Sequence, residues 1–161
     1  MSITISNISI EKLPKKKLAF IEHKGPYQGN TQLFGKLFTS VMEWMQSKDV
    51  MHTSDIGAIT VYPDDSSAVP ESEQRIYVGF TVPEHTKADG DIQIMEIPEG
   101  SYVVGSFEIL PSEYGNAWNE VFEFIKSKNL VPSAMMYESY KNEPNTHPEG
   151  KHLVDINVMI Q

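Results

Sequence analysis

Cysteine is missing altogether from the 161 residues. Its absence removes disulfides, thiol nucleophiles and cysteine-based zinc sites, and fits a reducing compartment such as the cytoplasm, where the protein is expected. Basic residues are scarce: 13 Lys and Arg stand against 22 Asp and Glu, a formal charge of -9. Proteins that grip phosphate backbones carry basic patches, because released counterions supply much of their affinity, so direct nucleic-acid binding is not expected. The one basic run, Lys15-Lys16-Lys17 after Pro14, reads as a solvated edge that discourages strand pairing. An acidic surface favours cationic partners instead. No apolar stretch approaches membrane-spanning length, and Met1-Ser-Ile-Thr-Ile-Ser6 lacks the basic-then-apolar order of a signal peptide, so no membrane role is expected.

Catalytic signatures are missing too. Five histidines (His23, His52, His85, His147, His152) show neither His-x-His nor His-Glu-x-x-His spacing, so no metal is expected. Without a Gly-x-Ser-x-Gly elbow, a P-loop or a Gly-x-Gly-x-x-Gly turn, the standard hydrolase, kinase and dehydrogenase readings fall away and no cofactor is implied.

What is present is a pattern stated twice. Leu18 to Lys48 reads as an apolar strand, a Gly-Pro-Tyr-Gln-Gly-Asn turn (Gly25 to Asn30) and a helix ending Glu43-Trp44-Met45-Gln46-Ser47-Lys48. Tyr102 to Lys128 repeats the order, with Pro-Ser-Glu-Tyr-Gly-Asn (Pro111 to Asn116) as the turn and Glu123-Phe124-Ile125-Lys126-Ser127-Lys128 as the helix end. Two related copies are expected to leave a groove between them, the kind of place where small ligands bind.

Ile3 to Leu13 alternates apolar and polar residues with a phase shift near Asn7, the mark of a strand with a bulge. Strands are also expected at Leu18 to Ile21, Ala58 to Tyr62, Arg75 to Val82, Ile92 to Ile97, Tyr102 to Ile109, Ala134 to Tyr140 and Leu153 to Ile160. The helices each show one apolar stripe: Leu33, Phe34, Leu37, Phe38, Val41, Met42 and Met45 in the first, Tyr114, Trp118, Val121, Phe122 and Ile125 in the second. Asn30 or Thr31 could cap the first, and Ser112 with Glu113 could start the second. Two helices and about eight strands give an α+β fold: duplicated strand-helix-strand-strand units, two helices packed on antiparallel sheet, a central ligand groove, and one domain over 1–161. The polar loops Pro63 to Gln74, Pro83 to Gly90 and Lys141 to Lys151 could rim the groove or simply be solvated connections.

The segment Met135-Met136-Tyr137-Glu138-Ser139-Tyr140 sets a carboxylate in an otherwise apolar and aromatic strand. Alternation puts Met136, Glu138 and Tyr140 on one face. Inside an aromatic-walled groove, an uncompensated Glu138 would cost several kcal/mol, which a bound organic cation would offset with help from cation-π contact. On the residues alone, a strand glutamate pointing into water is the reading to expect. Glu22, Glu108, Asp155 and Asn157 compete as groove-facing polar groups. Tyr77, Tyr102, Tyr140 and Trp118 supply aromatic surface for a cage, although rings at these spacings are more often core, and Trp118 is expected to pack.

Taken in order, Phe20-Ile21-Glu22-His23-Lys24-Gly25-Pro26-Tyr27, Tyr62-Pro63-Asp64-Asp65, Ile97-Pro98-Glu99-Gly100-Ser101-Tyr102-Val103-Val104, Tyr137-Glu138-Ser139-Tyr140 and Asp155-Ile156-Asn157-Val158 resemble the GyrI-like, or AraC-type effector-binding, domain family. The blocks span nearly the whole chain. The resemblance implies a duplicated βαββ-type fold binding hydrophobic, often cationic, small molecules, with Glu138 at the position of the cation-contacting acid and Tyr102 at that of a pocket aromatic. It also implies regulator-associated, gyrase-inhibiting or cyclopropanoid-hydrolysing relatives. The chain departs from the family pattern at Tyr137, where phenylalanine is common, and at Leu110-Pro111-Ser112, where many relatives repeat Gly-Pro-Tyr.

The expectation is therefore a stand-alone receptor for a hydrophobic, cationic or amphipathic small molecule, with Glu138, Tyr102, Tyr140, Tyr77, Trp118 and Met136 at the site. Two alternatives are a hydrolase of strained electrophiles using Glu138 as the catalytic residue, and a modulator that binds gyrase or a regulator. Because the first strand starts at the N-terminus, no helix-turn-helix of its own is expected.

Overall fold

The computed structural model describes residues 4–27, 31–48, 57–64, 68–141 and 148–161. In chain order these form β1 (Thr4–Leu13), β2 (Lys16–Lys24), α1 (Thr31–Ser47), β3 (Ala58–Val61), β4 (Arg75–Val82), β5 (Gln93–Ile97), β6 (Gly100–Ile109), α2 (Tyr114–Ser127), β7 (Pro132–Tyr140) and β8 (His152–Ile160). The strands and helices therefore fall where the period-two and period-3.6 patterns put them, with boundaries moved by at most three residues. The phase shift near Asn7 is a bulge in β1, where the register with β6 slips between Ile5 and Asn7. The second helix starts later than Ser112: Pro111–Glu113 form a single 3-10 turn, and the Glu113 carboxylate accepts a 2.7 Å hydrogen bond from the Leu110 amide. Asn30, the other capping candidate, lies outside the described residues.

The chain divides into two compact units, Lys15–Pro98 on one hand and Met1–Pro14 with Glu99–Gln161 on the other. Both carry the same topology. In the unit 15–98, antiparallel neighbours run β3, β4, β2, β5; in the other they run β7, β8, β6, β1. The duplicated motif is thus β-α-β-β plus one edge strand. The first unit takes that edge from the strand that follows its motif, and the second takes it from the start of the chain.

Each helix lies on the four strands of its own unit because each has one apolar stripe to remove from water. In the unit 15–98, Val41 and Met45 of α1 are buried against Ala19 and Phe80, with Phe38 and Met42 beside them, and the Phe38 and Phe80 rings lie 5.5 Å apart. Leu33, Phe34 and Leu37 continue the contact onto Tyr27, Ile76 and Val78. In the other unit, Ala117, Val121 and Ile125 of α2 pack on Val103, Phe107 and Ile109 of β6 and on Val154, Ile156, Val158 and Ile160 of β8. Each such aliphatic side chain contributes about 1.5–3 kcal/mol when fully buried. Phe122, counted in the apolar stripe of α2, is instead exposed and stacks on Trp118 at 5.9 Å.

Candidate functional site

The α2 side of β7 and β8 is not wholly apolar. Strand alternation puts Met136, Glu138 and Tyr140 of β7 on this side, opposite Val158, Ile156 and Val154 of β8. Met136, Tyr140, Trp118 and Tyr114 all pack against the core beneath α2. Glu138 is only 2% exposed, so the expectation of a strand glutamate pointing into water does not hold. The helix comes close because Gly105 of β6 has no side chain: a Cβ there would stand 2.6 Å from the Phe107 ring and 2.9 Å from the Val121 methyl. Gly105 pairs with Ile156, which in turn pairs with Glu138, so the carboxylate sits in the row of the sheet that α2 approaches through this gap.

Two neutral donors hold the carboxylate. The Trp118 indole Nε1 donates to Oε2 at 2.6 Å, and the Tyr140 hydroxyl donates to Oε1 at 2.6 Å. Such short bonds to an ionised acceptor are about twice as strong as neutral ones, which is how a carboxylate tolerates this depth. One turn before Trp118, the Tyr114 hydroxyl lies 2.5 Å from Nδ1 of His152, the first residue of β8. Burial, and secondly the negative charge of Glu138, push the Tyr114 phenol well above its usual pKa, while burial lowers that of His152. The cluster is thus an acid ringed by an indole, two phenols and a neutral imidazole. It can neutralise an organic cation, stack against it and exchange hydrogen bonds with it.

Of the six residues proposed from sequence, Glu138, Trp118, Tyr140 and Met136 meet here. Tyr102 does not, because it pairs with Met159 and so faces the opposite side of the same sheet. There it is fully buried, its ring 5.8 Å edge-on from that of Tyr137, and burial pushes its pKa up to about 12. Asp155 and Asn157 share that opposite side. Asp155 accepts from Ser106 at 2.8 Å and pairs with Lys141 at 3.5 Å, while Asn157 donates to the Tyr137 carbonyl. Tyr77 belongs to the other unit, its ring 4.6 Å from Phe20 and 5.9 Å from the Arg75 guanidinium, which is clamped on Asp64 at 2.8 and 3.0 Å. Tyr114 and His152 escaped the sequence reading as site residues. Tyr114 looked like one more ring in a helical stripe and His152 like a histidine without metal spacing; the available signal was that His152 continues the alternation of Val154 and Ile156.

Among the described residues there is no cluster of three or more His, Asp or Glu able to hold a metal, and no helix long and apolar enough to cross a membrane.

The profile of the family described as the GyrI-like small molecule binding domain matches residues 6–161. The chain belongs to the GyrI-like family. Among GyrI-like relatives, it is 27% identical over 154 residues to YosT, an SPbeta prophage-derived protein of Bacillus subtilis (strain 168) classed provisionally as a transcriptional regulator, covering 96% of this chain and 99% of that one. It is likewise 27% identical over 131 residues to DNA gyrase inhibitor 2 of Dickeya dadantii (strain 3937), covering 79% and 80%. The GyrI-like fold recurs in the C-terminal domain of EcmrR, with a TM-score of 0.75 at 16% identity over 96% of this chain and 97% of that domain. Against EcmrR in its DNA complex, the chain spans 57% of the longer protein. The structure of SAV2435 bound to tetraphenylphosphonium also shares the fold, with a TM-score of 0.59 at 14% identity over 97% and 94% of the two chains.

Proposed function

We propose that this GyrI-like chain is a receptor for a hydrophobic organic cation, with Glu138 as the counter-charge and Trp118, Tyr140 and Met136 as the apolar walls. The observation that carries the reading is a carboxylate 2% exposed whose two oxygens accept from an indole and a phenol, so that aromatic groups set the direction of its charge. A delocalised cation suits such a site: it loses little on leaving water and gains both the charge and the ring faces. The fold shared with SAV2435, whose structure holds tetraphenylphosphonium, supports the choice of ligand class. The family match running from 6 to 161 through both units supports treating them as one effector-binding domain.

Calorimetry with tetraphenylphosphonium tests the proposal. Glu138→Gln is a fitting probe because the amide oxygen can still accept from Trp118, while the amide nitrogen donates to the Tyr140 hydroxyl, which then acts as acceptor. The variant keeps its shape and loses its charge. Affinity is expected to fall on the order of 30-fold or more, as when one partner of a buried charge pair is removed. Equal affinity in the two proteins would refute the role of Glu138, and recovery of chemically altered ligand would favour the hydrolase alternative.

A protein-binding role has one observation of its own, the relatedness to a protein named DNA gyrase inhibitor 2. Capture of purified gyrase that survives Glu138→Gln would favour it, because surface recognition does not use the buried acid.

A further inference from the structure

We propose that His152 is a specificity-determining residue of this site, its Nε2 reading a neutral hydrogen-bonding group carried by the cation that Glu138 neutralises; the proposal rests on the reading of Glu138 given above. Its place in the sheet is fixed by register. Ile156 lies opposite Glu138 and Val154 opposite Tyr140, so His152 stands on the same side of the sheet, just past Tyr140 and about 7 Å farther along β8 than Val154. The helix gives the same placement independently: Tyr114, which holds the imidazole, precedes Trp118 by one turn, about 6 Å along the axis of α2. A drug-sized cation seated against Trp118 and Tyr140 therefore spans the interval.

The imidazole is oriented but not used up. Nδ1 is taken by the Tyr114 hydroxyl at 2.5 Å, whereas Nε2 has no hydrogen-bond partner among the described residues, on a ring that is half-buried. Because a phenol both donates and accepts, Tyr114 fits either tautomer. When Tyr114 donates to Nδ1, Nε2 carries the proton and donates outward; when Nδ1 donates to Tyr114, Nε2 accepts. The pair can therefore recognise an alcohol, an ether or an amide without a change of shape. Burial keeps the imidazole neutral near pH 7, so it does not compete with the ligand for Glu138. Among the described residues, Ile109 lies opposite it on β6 and Tyr114 meets it from α2, and neither carries a positive charge.

The test uses the full chain at pH 7.5 and three matched cations: tetraphenylphosphonium and its 3- and 4-hydroxymethyl derivatives on one ring. At least one derivative is expected to bind about fivefold tighter than the parent, the return of one added hydrogen bond. His152→Phe is expected to erase that preference, and Tyr114→Phe, which frees the imidazole to turn, to weaken it. His152→Gln, which restores a polar group, should regain part of it. Should the parent cation bind wild-type protein with no preference for either derivative, or with one that both His152→Phe and Tyr114→Phe retain, the role of His152 is overturned while that of Glu138 stands. Failure of all three cations to bind wild-type protein overturns both.

Discussion

Replacing Trp118 with phenylalanine removes the indole donor along with part of a ring that packs on the core. The phenyl ring can keep a stack on Phe122, while the indole N–H that donates to Glu138 Oε2 at 2.6 Å is lost. Hydrogen bonds to charged groups contribute about 1.5–3 kcal/mol, so the variant is expected to lose about 2 kcal/mol of stability. For a chain of 161 residues, that is a fall in Tm of roughly 4–8 °C. Urea unfolding followed by circular dichroism measures it directly. The same substitution made in Glu138→Gln should cost only about 1 kcal/mol, because the indole then donates to a neutral amide oxygen. The difference between the two costs is the coupling energy of the charged pair. Equal costs in both backgrounds, or a cost below about 0.5 kcal/mol, would mean that the carboxylate draws nothing from the indole, and the view of Glu138 as a charge held by protein donors would fail.

Three further substitutions test the fold and the site. Gly105→Ala puts a Cβ 2.6 Å from Phe107 and 2.9 Å from Val121, so it should lift α2 from the sheet, cost about 1–3 kcal/mol by overpacking, and weaken tetraphenylphosphonium binding together with stability. Gly79→Ala is harsher, since a Cβ there would stand 1.8 Å from the Ala19 carbonyl oxygen, a backbone atom that cannot swing away; loss of soluble, cooperatively folding protein in expression and thermal melts is expected. His152 should make stability depend on pH: its folded pKa is lowered below 6.5, so its contribution is complete above pH 6.5 and is lost as pH falls toward the lowered value, where the unfolded chain binds a proton first. His152→Phe should flatten the slope of stability against pH just below pH 6.5, and an unchanged slope would show the imidazole to be freely solvated.

The architecture was legible because duplication, period-two strands and period-3.6 helices are local signals that survive in one sequence. The bulge at Asn7 could be read from a phase shift, and the common face of Met136, Glu138 and Tyr140 from simple alternation. The depth of Glu138 was not legible, because burial is decided by what lies above a strand. Here the cover is α2, brought down by Gly105, a glycine distant in sequence from β7. Tyr102 went astray for a related reason. Period two fixes which residues of one strand share a face, but only the register between strands tells whether the faces of β6 and β7 coincide, and that register sends Tyr102 to the side opposite Glu138.

The duplication also explains why one unit carries the acid and the other does not. Matching the two units row by row sets Ala58 of β3, paired with Phe80, where Glu138 of β7 is paired with Ile156. Matching the helix ends sets Phe38 and Phe34 of α1 at the places of Trp118 and Tyr114. The unit 15–98 thus lacks the carboxylate, its indole donor and the phenol in front of it all at once, and Phe38, at the place of Trp118, meets the ring of Phe80, at the place of Ile156, at 5.5 Å. These losses are interdependent. A carboxylate at position 58 without a donor at position 38 would be a half-buried charge with no indole beside it, and an indole at 38 without an acid at 58 would bring an N–H in need of a partner. Adding Ala58→Glu alone is therefore expected to unfold that unit rather than create a second cation site, and a soluble variant that binds two tetraphenylphosphonium ions per chain would show that the donors around Glu138 matter less than its position.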